Sequence, residues 1–153
     1  SGGDSAAVGM PALPPERLEA GTLNVPAIVS LGAGLDFIVR YGREAIAVKE
    51  QSMARLLRER LSSVNRVILY GRPDGGTFLF NLKGMPAQEV ATRLDEAGIA
   101  VRAGLHCAPD AHRKLGTDAF GGVRVSFGAF QGEETVEKFE KEIKKIVKSV
   151  SFS

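Results

Sequence analysis

The sequence predicts an α+β domain, a small mixed or antiparallel sheet with helices packed on one face. Three observations carry this. Element signals run helix, helix, strand, strand, helix, strand, strand, helix. Residues 66–70 and 77–82, two short β-prone runs, flank a Gly/Pro/Asp turn cluster and make a hairpin candidate. Residues 123–127 alternate strictly, with Val123, Val125 and Phe127 on one face and Arg124 and Ser126 on the other. With 153 residues, 44% of them hydrophobic and 25% charged, the chain is large enough for one domain with its own core.

In chain order, residues 1–23 are rich in Gly, Ala and Pro without a sustained period, which predicts an extended entry segment. The small domain is then expected over 24–153. Asn24 can cap a helix that tolerates Pro26 in its first turn. Ile28, Leu31, Leu35 and Ile38 recur at helical spacing, and Gly42 breaks the pattern. A second helix follows, with Ile46, Met53, Leu57 and Leu61 on one stripe and Arg55, Arg58 and Glu59 outside it. After the hairpin, Pro86 opens a short helix with Val90 and Leu94 inward and Gly98 closing it. A strand is expected over 99–102, then a loop around Cys107 and a short helical turn over 111–115. The last helix, about 133–150, carries the apolar stripe Val136, Phe139, Ile143, Ile146, Val147 and Val150. Its acidic start and lysine-rich end complement the helix dipole.

Composition narrows the function classes. A net charge of +2 with no concentrated basic face argues against a nucleic-acid module. The lysines at 138–148 read as the solvated face of the last helix. A single cysteine cannot form an internal disulfide and suits a reducing compartment. No apolar run approaches the roughly 18–20 residues that span a bilayer, and residues 1–5 lack the order of a secretory signal. A soluble, cytoplasmic protein without nucleic-acid or membrane partners is the expectation.

The candidate chemistry centres on Cys107, in a Gly-containing loop with His106 beside it and Arg102 upstream. A thiol reacts as its thiolate, which nearby positive charge and exposure favour. A cysteine packed as a small hydrophobe is the alternative. Arg124, mid-strand opposite an apolar face, suits a carboxylate through its planar fork, or makes a surface salt bridge. Thr22, just before the first helix, is either a cap or a phosphate contact. Gly2 and Gly3 could bend around an anion or simply confer flexibility. His106 and His112 lack the further ligands of a zinc set, and no Ser-His-Asp nucleophile motif is present.

Several blocks together resemble the cysteine desulfurases and their relatives among the class V aminotransferase-like PLP enzymes. They are Gly2-Gly3, Arg17 to Asn24, Gly32-Ala33-Gly34-Leu35, Gly98 to Ala108, and Val123-Arg124-Val125-Ser126. They occur in family order. The Glu-Ala-Gly-Thr and Arg-x-Gly-x-His-Cys-Ala stretches are the specific ones. Leu105 stands where some sulfur-mobilising members carry a second histidine, which bears on substrate and acceptor rather than on fold.

The resemblance implies the C-terminal domain of the fold type I aminotransferase architecture. The large domain and the lysine that holds pyridoxal 5′-phosphate would lie outside this chain. None of the lysines at 49, 83, 114, 138, 141, 144, 145 and 148 has a matching context. The chain alone is therefore expected to be inactive and not to hold the cofactor stably. In the whole enzyme, the resemblance makes Cys107 the nucleophile that takes sulfur from L-cysteine as a persulfide, releasing L-alanine. It makes Arg124 the substrate-carboxylate ligand and gives Arg102 a supporting place at the base of the loop. It brings Thr22 to the cofactor phosphate of the neighbouring subunit in a homodimer, with Gly3 near the same site. Sulfur mobilisation to an acceptor protein, including iron–sulfur cluster assembly, follows as the expected role. Two other readings stand beside it: a lyase or selenocysteine-specific relative with Cys107 accessory, and a non-catalytic thiol-carrier or interaction module.

Overall fold

The computed structural model of the chain describes residues 13–15, 17–19, 21–71 and 75–150. The chain divides into two compact units, Ser1–Gly42 and Arg43–Ser153. That boundary falls after the first helix, which the sequence pattern groups with the domain starting at Asn24. Most of the predicted entry segment, Gly2 and Gly3 included, lies outside the described residues. Its described part turns rather than extends: the Arg17 N–H donates to the Leu13 carbonyl at 3.1 Å and the Leu18 N–H to the Pro15 carbonyl at 2.9 Å. Proline-rich segments favour such turns.

In the first unit, helix α1 spans Val25–Tyr41. The Asn24 side chain accepts from the Ala27 N–H at 3.1 Å, the cap its sequence predicts. Gly42, at φ +91°, ends the helix, and its N–H donates to the Ile38 carbonyl. The stripe of Ile28, Leu31, Leu35 and Ile38 is exposed, and α1 buries none of its residues.

The second unit begins with α2, Arg43–Ser62, and continues through β1 Val67–Tyr70, β2 Thr77–Leu82, α3 Ala87–Glu96 and β3 Arg102–Gly104. It closes with α4 Pro109–Leu115, β4 Gly122–Ser126 and α5 Glu133–Val150. The four strands form one antiparallel sheet in the order β1-β2-β4-β3. The predicted hairpin is present, with Val67 opposite Leu82 and Tyr70 opposite Leu79. The third strand lies later than the sequence predicts, at 102–104 instead of 99–102. The Ile99 N–H donates to the Leu94 carbonyl, so the chain there still belongs to the exit of α3. Ladder pairing starts only at Arg102, opposite Arg124. Helix α4 starts earlier than expected, with Pro109 in its first turn, where a missing N–H costs nothing.

The core lies between one face of the sheet and helices α2, α3 and α5. Phe78, Phe80, Val123 and Val125 face it from the strands, and Leu57, Leu61, Val90, Leu94, Val136 and Ile143 from the helices. Phe80 and Phe139 meet edge to face with centroids 5.9 Å apart. Within the second unit, the period-2 pattern of β4 and the period-3.6 stripes of α3 and α5 read from the sequence supply much of this core. Burying these side chains is the main source of stability, about 1.5–3 kcal/mol for each large one.

Two glycines allow close approach at the start of the strand carrying Arg124, one toward the cysteine loop and one toward β2. A Cβ on Gly121, at φ +67°, would lie 2.7 Å from the backbone carbon and oxygen of Gly104. A Cβ on Gly122 would lie 2.7 Å from the Leu79 side chain. Asn81, buried on β2, donates from Nδ2 to the Gly121 carbonyl at 3.0 Å and holds this corner.

Two stability predictions follow from this packing. Gly116 has φ +69° but open space around its Cα, so Gly116→Ala should cost only the left-handed penalty, about 1 kcal/mol. Gly121→Ala adds the clash with Gly104 and should cost at least twice as much by urea denaturation; equal losses would show that the close approach does not matter. Leu94→Ala, at a fully buried position, should lose about 2–5 kcal/mol in the same measurement.

Candidate functional site

The sheet delivers the cysteine loop directly. β3 ends at Gly104, whose φ of +112° few other residues adopt. His106 and Cys107 then both lie in the left-handed region, at φ +54° and +56°. Two consecutive non-glycine residues there are costly, on the order of 1–3 kcal/mol each, and persist only where the surroundings enforce them. The Ala108 N–H donates to the Leu105 carbonyl at 2.9 Å across this turn, and Pro109 opens α4 immediately after. Cys107 is thereby held at the surface, with its side chain exposed.

The His106 ring is engaged on both sides. Its Nε2 lies 3.0 Å from the Arg102 carbonyl oxygen and its Nδ1 lies 3.3 Å from Nε2 of His112. His112 is 3% exposed, and its Nδ1 lies 2.7 Å from Oγ1 of Thr117, which is fully buried. The two imidazole rings sit 5.5 Å apart with 30° between their planes. Burial holds the His106 imidazole below its ordinary value of 6.5. The hydrogen bond to Arg102 opposes that shift, while electrostatic interactions with Arg124, His112 and Arg102 add to it.

Arg102 and Arg124 are direct cross-strand partners at the mouth of this loop. Like charges directly opposite one another oppose strand pairing. Among the described residues neither guanidinium has a carboxylate partner. Among these residues, then, Arg124 does not make the surface salt bridge that is its ordinary alternative. Both cations lie close enough to bear on His106.

Thr22 is exposed in the first unit, two residues before the cap of α1. Gly3 lies outside the described residues. No group of three or more His, Cys, Asp or Glu side chains among the described residues could hold a metal ion. No single helix among them is long and apolar enough to cross a membrane.

The structure brings Cys107, Arg102 and Arg124, all singled out in the sequence, to one region, and adds a contact chain through His106, His112 and Thr117 that the sequence does not announce. The two histidines are six residues apart across a turn and a helix start. Only the left-handed backbone between them brings their rings together, and no glycine at 106 or 107 signals such a backbone.

Comparison with known proteins gives this geometry a context. The aminotransferase class-V family profile matches residues 9–139. A probable cysteine desulfurase of Methanothermobacter thermautotrophicus is 35% identical over 136 residues, covering 86% of this chain and 34% of that protein. A cysteine desulfurase of Salmonella agona is 37% identical over 125 residues, covering 81% of this chain and 30% of that protein. Among solved structures, the apo cysteine desulfurase of Thermococcus onnurineus superposes with a TM-score of 0.77 at 36% identity, covering 89% of this chain and 34% of that one. The Escherichia coli cysteine desulfurase CsdA superposes with a TM-score of 0.76 at 28% identity, covering 88% and 33%. The chain thus spans about a third of the length of these relatives. Its small antiparallel sheet with helices on one face is the corresponding part of fold type I enzymes. Family profile, relatives and fold agree, and the chain belongs to the aminotransferase class-V family.

Proposed function

We propose that this chain supplies the sulfur-accepting part of a cysteine desulfurase active site, converting L-cysteine to L-alanine with the sulfur held as a persulfide on Cys107. The observation that carries the reading is an exposed thiol on an enforced left-handed turn, beside two cross-strand arginines without carboxylate partners among the described residues. This combination suits a nucleophile that meets an anionic amino acid. The names of the relatives support the same substrate.

In this reading the Arg124 guanidinium binds the substrate carboxylate through two parallel hydrogen bonds and fixes the amino acid in place. Arg102, directly opposite, adds positive charge and anchors the base of the loop through its carbonyl. The Cys107 thiolate attacks the substrate sulfur. The S–S bond forms as the C–S bond breaks, and the released electron pair is taken up before the β-carbon is protonated to give alanine. Pyridoxal 5′-phosphate, when bound, supplies the electron sink for that pair. Two guanidinium groups in register, without carboxylate partners among the described residues, suit an anionic group of such a partner; separately, in the first unit, the Thr22 hydroxyl near a helix start suits a phosphate oxygen. We assign the cofactor's lysine to a part of the protein beyond this chain, which spans about a third of the length of its relatives. A homodimer in which Thr22 and Gly3 serve the neighbouring subunit, a reducing cytoplasm, and delivery of sulfur to an acceptor protein for uses such as iron–sulfur assembly complete the reading.

In the holoenzyme containing this chain, Cys107→Ala should abolish sulfide release from L-cysteine while the cofactor absorbance is retained. Unchanged sulfide yield would remove Cys107 as nucleophile. Arg124→Lys keeps the charge but loses the planar fork. It should raise KM for cysteine roughly ten- to hundredfold, the equivalent of one charge-assisted hydrogen bond at about 1.5–3 kcal/mol. An unaltered KM would show that the carboxylate binds elsewhere.

A further inference from the structure

The buried pair His112 and Thr117 has no place in the chemistry above, yet it is the most enclosed polar cluster next to the thiol. Its hydrogen-bond directions can be assigned from one fixed end. A backbone carbonyl only accepts, so His106 Nε2–H donates to the Arg102 oxygen. In neutral His106, Nδ1 is then an acceptor, and His112 Nε2–H must donate to it. His112 Nδ1 is left as an acceptor, filled by the Thr117 hydroxyl at 2.7 Å. All four groups are satisfied in one arrangement, with both rings as Nε2–H tautomers. Because the chain ends on a carbonyl that cannot pass a proton on, it serves orientation and does not relay protons.

We propose that His112 and Thr117 are positioning residues: they lock the His106 ring and, through it, the left-handed turn that presents the Cys107 thiol. Both His106 nitrogens are occupied inside this lock, so His106 acts on the thiol by holding the backbone and does not serve as its base. The strain of two consecutive left-handed residues is offset by these bonds. The inference rests on Cys107 being the sulfur acceptor only for its consequence in catalysis; the lock itself is a property of the chain.

The arrangement also defines what one proton does. Protonated His106 would turn Nδ1 into a donor toward His112, whose Nε2 must then accept. The His112 proton moves to Nδ1 and is donated to Thr117, whose hydroxyl turns to the His112 carbonyl, 3.5 Å away. That last bond is long, and Arg102 on β3, Arg124 on β4 and His112 on α4 all face the added charge. The neutral arrangement therefore persists below the ordinary range. In that interval the folded chain binds fewer protons than the unfolded one, so stability falls as pH drops beneath 6.5 and levels off once folded His106 titrates.

Side-chain nitrogen NMR of the 15N-labelled chain tests the lock without reference to activity. At pH 8 both histidines should be Nε2–H tautomers. On acidification, His112 Nδ1 should change from unprotonated to protonated in step with His106, at a midpoint below 6.5. Thr117→Val should abolish that coupled change, and Thr117→Ser should restore it. In the holoenzyme, Thr117→Val should lower kcat for desulfuration about tenfold with little change in KM, the signature of a displaced nucleophile, and Thr117→Ser should recover the rate. An Nδ1–H tautomer of His112 at pH 8, a His112 tautomer that stays unchanged while His106 takes up its proton, or a Thr117→Val enzyme of full kcat would each overturn the proposal. The wild-type spectra decide the matter even if the valine variant does not fold. Loss of the desulfurase reading alone would appear differently: the coupled spectra would stand while Cys107→Ala kept its sulfide yield.

Discussion

The site depends on a backbone constraint at two residues. His106 and Cys107 are both left-handed without being glycine, a conformation the chain adopts only under compulsion. The compulsion comes from three directions. Gly104, with its positive φ, lets β3 turn out of the sheet. The Ala108 amide closes the turn onto Leu105, and Pro109 commits the chain to α4. The His106 ring is tied to Arg102 behind it and to His112 ahead. Relaxing this turn would change the direction of the thiol, whereas the sheet behind it would hardly register the change.

The remainder of the second unit serves as the anvil for that turn. A core of Phe, Leu, Ile and Val between the sheet and α2, α3 and α5 fixes the strands. The strands in turn place Arg124 opposite Arg102. Two cations in register weaken the sheet locally, and the buried neighbours on the other face, Val123 and Val125, hold β4 in place against that cost. The close contact of Gly121 with Gly104 completes the link between the strand of Arg124 and the loop of Cys107. Stability is concentrated on one face of the sheet and chemistry on the other.

Much of this was legible in the sequence, and the physics explains which parts. Helix stripes such as Leu57 and Leu61, and the alternation of Val123, Val125 and Phe127, are periodic signals, and burial follows them. The hairpin was readable because its turn residues and two β-prone runs are local. The position of β3 was not, because Ile99 to Arg102 looks β-prone on its own while pairing with β4 selects Arg102–Gly104. The stripe of α1 was visible as a pattern, but periodicity alone does not say what covers it, and it is exposed here. Cys107 stood out by being unique and flanked by positive charge, and the Arg-x-Gly-x-His-Cys-Ala block carried the family. The contact between His106 and His112 was invisible, since it arises from a backbone conformation that neither residue type announces.

The proposed function requires that the thiol at 107 receive the substrate's sulfur. The most direct measurement is peptide mass spectrometry of the holoenzyme quenched after a single turnover with L-cysteine. One additional sulfur is expected on the peptide containing Cys107, in step with the alanine formed. Alanine produced with that peptide unmodified, or with the sulfur carried on another residue, would contradict it.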